Sequence, residues 1–141
     1  MFVLDTNIIS EPFKPRPDPG VAMWMEAVPA SAAYVAALSK AELLVGLASM
    51  PDGRRKLALG DVIGVFFSKW LKTPILSFGS REAEFYAETV SRRRRSGRPI
   101  GEFDAQIAAI ARHHRFAVVT RNVRDFEDCG IELVNPWTEA K

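Results

Sequence analysis

Five short apolar runs separated by longer helical stretches constrain the fold of this chain more than any other feature. "FVL" at 2–4, "AAYVAAL" at 32–38, "PILSF" at 74–78, "FAVVT" at 116–120 and "IELVNP" at 131–136 have the length and β-type composition of buried strands. Helical patterns lie near 21–28, from Ser39 to about Ala48, over 54–71, over about 80–95, and from Asp104 to about His114. Parallel neighbours need crossover connections, so this alternation predicts an α/β sandwich with four or five mostly parallel strands. At 141 residues, with no repeat and no linker-like tract, one domain spanning 1–141 is expected.

Composition narrows the class further. Apolar residues make up 48% and charged residues 26%, as in soluble globular proteins. No apolar stretch approaches the ~20 residues needed to span a bilayer, so a cytoplasmic protein is expected. A lone Cys129 offers neither an internal disulfide nor a thiolate cluster, and any metal must be held by oxygen or histidine.

In open parallel sheets the working site lies beyond the carboxyl ends of the strands. Asp5 follows the first strand, Glu42 stands in the first turn of the helix after the second, Asp104 starts a helix, and Asn122 and Asp125 follow the fourth strand. Each has an ordinary explanation when taken singly. Asp5 with Asn7 suits an Asx turn, Ser39 and Glu42 match the S-x-x-E capping box, and Asp104 suits a helix N-terminus. The position of Asp104 argues against mere capping, because Ile107, Ala108 and Ala111 share its face.

Convergence of these acids has an electrostatic consequence. Two carboxylates ~4 Å apart repel by about 4 kcal/mol at an effective dielectric of 20, so a cluster takes up protons or recruits a cation. Mg²⁺ or Mn²⁺ suits all-oxygen sites that also bind phosphate, which makes phosphate chemistry the leading class. Arg92, Arg93, Arg94, Arg95 and Arg98 are candidate phosphate contacts, and they equally complement the end of a helix before Gly97 and Pro99. His113 and His114 read as carbonyl and dipole partners at a helix end. Phe66, Phe67 and Trp70, with Trp24 between Met23 and Met25, are either core or a protein interface.

Four segments taken together, "FVLDTNIIS", "SKAELLVG", "FDAQIAAIARHH" and "VVTRNVRDFE", resemble the PIN-domain ribonucleases, and within them the VapC toxins of type II toxin–antitoxin modules, FitB-like members included. The resemblance covers nearly the whole chain in the family's order. It implies a three-layer α/β/α sandwich, a Mg²⁺- or Mn²⁺-dependent endoribonuclease, a cognate VapB-like antitoxin, and a homodimer within a toxin–antitoxin hetero-oligomer. Position by position, it implies Asp5 and Asp104 as metal ligands and Glu42 as the acid that completes the pocket and helps position the attacking water. It gives Thr6, Asn7 and Thr120 supporting roles. Where many members carry a fourth acid this chain has Asn122, with Asp125 three residues on, so both enter the catalytic set. The resemblance also implies an antitoxin segment lying between the helices that carry Trp24, Phe66, Phe67 and Trp70.

Two rival enzymes and one non-enzyme share parts of this pattern. A phosphotransfer domain with an aspartate at a strand end needs a late lysine, yet after Lys72 the next lysine is Lys141. A structure-specific DNA nuclease differs only in substrate. A binding domain that lost its chemistry has no reason to keep Asp5, Glu42 and Asp104.

Overall fold

The computed structural model describes residues 1–138. Strand β1 is Phe2–Leu4, and its apolar run ends at Asp5, whose extended backbone (φ −69°, ψ 159°) turns directly into helix α1, Thr6–Ser10. The turn expected at 5–7 is therefore the start of a helix. Asp18 caps α2, Pro19–Ala27, by accepting from the Gly20 amide at 2.8 Å, with Pro19 pre-set for the first helical position. Asp18 also accepts from the Thr138 hydroxyl at 2.9 Å, tying the end of the described chain to this cap. A Cβ at Gly20 would meet the Pro136 carbonyl oxygen, so only glycine allows the two segments this approach.

Strand β2 is Ala33–Tyr34, shorter than the apolar run around it, and α3 covers Ala37–Ala48. The third expected strand shrinks to one parallel bridge, Ala36 to Leu76. The same contact sets the start of α3, because the Ala37 amide donates to the Leu76 carbonyl at 2.8 Å. Helix α4, Arg54–Val65, runs into a wider π-type turn over Phe66–Trp70. Helix α5 is Ser80–Arg95; Gly97, with φ +75°, follows it in the left-handed conformation that glycine favours. Helix α6 is Glu102–His114, β3 is Ala117–Val119, and β4 is Leu133–Val134 after a short 3₁₀ turn over Val123–Phe126.

The four strands are parallel in the order β2-β1-β3-β4, with Val3 opposite Val118 and Leu4 opposite Val119. Successive side chains point to opposite faces of the sheet. Leu4 and Val119 accordingly join Ile8, Ile9, Val21 and Leu43 in one core, while Val3 and Val118 join Ile107, Ile110 and Phe126 in the other. Helices α1 to α3 cover one face and α6 the other, with α5 packed on α6, which is the expected three-layer α/β/α arrangement. Among the described residues no helix is long and apolar enough to cross a membrane.

Candidate functional site

The carboxyl ends of β1 and β3 lie side by side, because the Asp5 amide donates to the Val119 carbonyl at 3.0 Å. Asp5 is 7% exposed and carries two hydrogen bonds on separate oxygens: Oδ1 accepts from the Thr6 amide and Oδ2 from the Thr120 hydroxyl, each at 2.8 Å. The Thr120 oxygen in turn accepts from the Asn122 amide at 3.0 Å and from Asn7 Nδ2 at 3.5 Å, and Asn7 Oδ1 accepts from the Arg121 amide at 3.4 Å. Thr120, fully buried, and Asn7 thus lock the Asp5 carboxylate to the end of β3.

Glu42 does not form the capping box. Helix α3 begins after Ala36 with no side-chain cap, so Ser39 falls inside the first turn and is buried, and Glu42 is free for another partner. That partner is Thr6, whose hydroxyl donates to Glu42 Oε1 at 2.8 Å. Asp104 is likewise not the cap of α6, because Gly101 occupies that position. The buried stripe of Ile107, Ala108 and Ala111 turns Asp104 toward the sheet edge.

These groups act on one another electrostatically. The Asp104 carboxyl is pushed up to about 6, first by burial and then by the negative charges of Asp5, Asp125 and Glu42, with Arg93 pulling the other way. Asp5 is also raised, mainly by burial, with the Thr120 and Thr6 hydrogen bonds opposing and Glu42 and Asp125 adding. Asp125, on the 3₁₀ turn, is thus near enough to act on both Asp5 and Asp104. Asn122 instead supplies the carbonyl that starts that turn, accepting from the Asp125 amide at 3.0 Å. The fourth charge at this rim comes from Asp125, a residue exposed to solvent.

A raised carboxyl pKa has a signed effect on stability. The unfolded chain releases the Asp104 proton near 3.8 and the folded chain near 6, so this group's contribution is greatest below about 3.8 and is lost as pH rises through about 6. In chelator, the urea midpoint of the parent should fall relative to Asp104→Asn across that window. Parallel curves for the two proteins would refute the placement of this carboxyl.

The arginine block divides in the structure. Arg93 is 5% exposed and cannot meet nucleic acid: its Nε donates to the Arg98 carbonyl at 2.6 Å, and its Nη1 to the carbonyls of Asp125 at 3.0 Å and Glu127 at 2.9 Å. It staples the segment that carries Asp125. Arg92 pairs with Glu88 at 3.0 Å and Arg98 with Glu127 at 3.5 Å, while Arg94 and Arg95 are exposed. Sequence inspection misses the role of Arg93 because the residues that α5 buries, Glu82, Thr89 and Arg93, are all polar. Their spacing of seven and four was the available signal.

Of the two readings open for the aromatic set, core and interface, the packing supports core. Phe66 is buried and stacks on Trp70 with centroids 5.0 Å apart, and Trp24 and Phe67 pack on the same core, so these residues face inward. Exposed apolar residues include Met23 on α2, Leu44 and Val45 on α3, Leu57, Val62 and Val65 on α4, and Phe103 on α6. Ala41, Glu42, Val45, Gly46 and Phe103 line an apolar recess of about 450 Å³ that opens beside the acidic rim.

A parallel α/β/α sandwich with an acidic rim at the carboxyl ends of its strands defines a class of acid-pocket domains, and comparison with known proteins gives the family within it. The PIN domain profile matches residues 2–131. The "VapC ribonuclease Y4jK" of Sinorhizobium fredii is 38% identical over 140 residues, covering 99% of this chain and 100% of the relative. "Toxin FitB" of Neisseria gonorrhoeae is 33% identical, covering 97% and 99%. A solved structure, "FitAB bound to IR36 DNA fragment", superposes with a TM-score of 0.92 at 31% identity, covering 100% of this chain and 99% of that one. The chain belongs to the PIN-domain family and, within it, to the VapC-type proteins.

Proposed function

We propose that this protein is a divalent-metal-dependent endoribonuclease acting as the toxin of a type II toxin–antitoxin module in the cytoplasm. The observation that carries the reading is the gathering of Asp5, Glu42, Asp104 and Asp125 at one rim, where burial first and the neighbouring negative charges second raise Asp104 to about 6. An all-oxygen donor set of net negative charge fits Mg²⁺ or Mn²⁺, and Asp5 and Asp104 would hold the ion with help from Glu42. Such an ion supplies charge neutralisation at the phosphate and a more acidic water at neutral pH.

The rest of the chemistry is assigned to side chains of this chain. The Thr6 amide and Thr120 hydroxyl each donate to one Asp5 oxygen, which fixes the orientation of the carboxylate. Glu42, oriented by Thr6, is placed to accept a proton from water attacking a phosphodiester. Asp125 adds charge on the side where Asn122 brings none, which favours one firmly held ion with any second arriving alongside substrate phosphate. Arg94 and Arg95 are the free members of the arginine block for contacts to the RNA backbone, with Arg92 and Arg98 shared between RNA and their acidic partners.

The relatives named as toxins and the FitAB structure support a VapB-like antitoxin as partner. The exposed apolar residues of α3 and α4 beside Glu42 suit an amphipathic antitoxin segment better than the buried Phe66 and the partly buried Trp70 packed on it do. The deciding experiment is incubation of purified protein with total RNA and Mg²⁺, with and without chelator, followed by mapping of the cut ends. Discrete cuts abolished by chelator are expected. Cleavage indifferent to chelator, or cutting of DNA alone, overturns the reading.

A further inference from the structure

Helix α5 buries a polar residue at each end, and only Arg93 is accounted for by the acidic rim. At the other end Glu82, 7% exposed, faces the last turn of α6, where His113 Nε2 lies 3.9 Å and His114 Nε2 4.0 Å from the same Glu82 Oε2. These separations are too long for hydrogen bonds. The three ligand atoms lie within 4.8 Å of one another, and the other Glu82 oxygen is already held by the Gly79 amide at 3.2 Å. Each ring has an aromatic support: His114 stacks on Phe116 with centroids 5.2 Å apart, and His113 leans toward Phe85 at 6.3 Å.

We propose that Glu82, His113 and His114 form a second metal site, selective for a borderline transition ion such as Zn²⁺, that clamps the first turn of α5 to the last turn of α6. Two imidazoles and one carboxylate are a zinc donor set, and imidazole discriminates against Mg²⁺. Metal–ligand distances of about 2.0–2.2 Å place tetrahedral ligand atoms roughly 3.4 Å apart, so binding requires each ring to swing in by under about 1 Å. Both histidine side chains are 31% exposed, which leaves that freedom and an open route for the ion and a fourth, solvent ligand. Asp104 and His113 are nine residues apart on α6, about 14 Å along its axis. The site is therefore separate from the acidic rim, and it stands whether or not the nuclease reading holds.

The test uses the full chain carrying Asp104→Asn, which disables the acidic rim, titrated with Co²⁺ and then Zn²⁺. One Co²⁺ per chain with the intense visible bands of four-coordinate cobalt, displaced by Zn²⁺, is expected. His113→Gln and His114→Gln in that background should abolish the bands with unchanged circular dichroism, and Glu82→Gln should weaken binding roughly tenfold or more. Zn²⁺ should raise the thermal midpoint of the Asp104→Asn protein and not of the histidine variants. Weak six-coordinate spectra, no binding, or bands that persist in both histidine variants would overturn the site and leave an ordinary histidine–carboxylate charge pair.

Discussion

On the proposed reading, Asp104→Asn and Asp5→Asn should each reduce Mg²⁺-dependent RNA cleavage by on the order of 10²–10⁴-fold, with opposite effects on folding. Asp104 is raised to about 6 because burial and three neighbouring acids disfavour its charge. A neutral amide there removes the repulsion, so without metal at pH 7 the variant should unfold at higher urea than the parent. Burial raises Asp5 as well, but both of its oxygens accept hydrogen bonds, a pair that an amide cannot reproduce. An amide can keep the Thr6 contact but turns its NH₂ toward a Thr120 oxygen that already accepts from Asn122, so a loss of about 1–2 kcal/mol accompanies the loss of cleavage. Cleavage and urea unfolding measured on the same preparations separate the two effects. Two folded variants that both retain parental cleavage would remove these acids from the chemistry.

Arg93→Met lowers stability by about 3–5 kcal/mol, whereas Arg94→Met and Arg95→Met stay within about 0.5 kcal/mol of the parent. The contrast follows from burial and partners. Arg93 satisfies the carbonyls of Arg98, Asp125 and Glu127 in a site 5% exposed, and methionine fills the space but leaves those acceptors unpaired. Arg94 and Arg95 lie in solvent. Their loss should instead weaken RNA binding and flatten its salt dependence. Urea denaturation of the three variants gives the answer, and equal midpoints would show that Arg93 is no staple.

Much of the fold is legible along the chain. β1, β3 and β4 lie within their apolar runs, and α2 starts at Pro19, two residues ahead of the helix expected near 21–28, because Asp18 and Pro19 supply its cap and first position. The run 74–78 has the pattern of a full strand, yet only Leu76 pairs, because the edge beyond β2 offers the single partner Ala36. Ser39–Glu42 carries a capping motif that the fold leaves unused, since the bridge to Leu76 starts α3 two residues early. The aromatic cluster at 66–70 is apolar enough for core or interface, and its position in a turn facing the sheet decides for core.

The sequence alone determined the alternation of strand and helix, the placement of an acid at the end of β1 and in the first turn of α6, and the motifs that resemble the PIN family. These are local properties, set by side-chain periodicity and by which residues tolerate a strand end or a helix start. Only the tertiary structure decided that Thr6 claims Glu42, that Asp125 rather than Asn122 brings the fourth charge, and that Arg93 turns inward while Arg94 and Arg95 do not. Those outcomes depend on contacts between residues tens of positions apart. A carboxylate or guanidinium looks the same in sequence whether it meets water, a carbonyl or another charge, and the packing of the helices on the sheet selects among them.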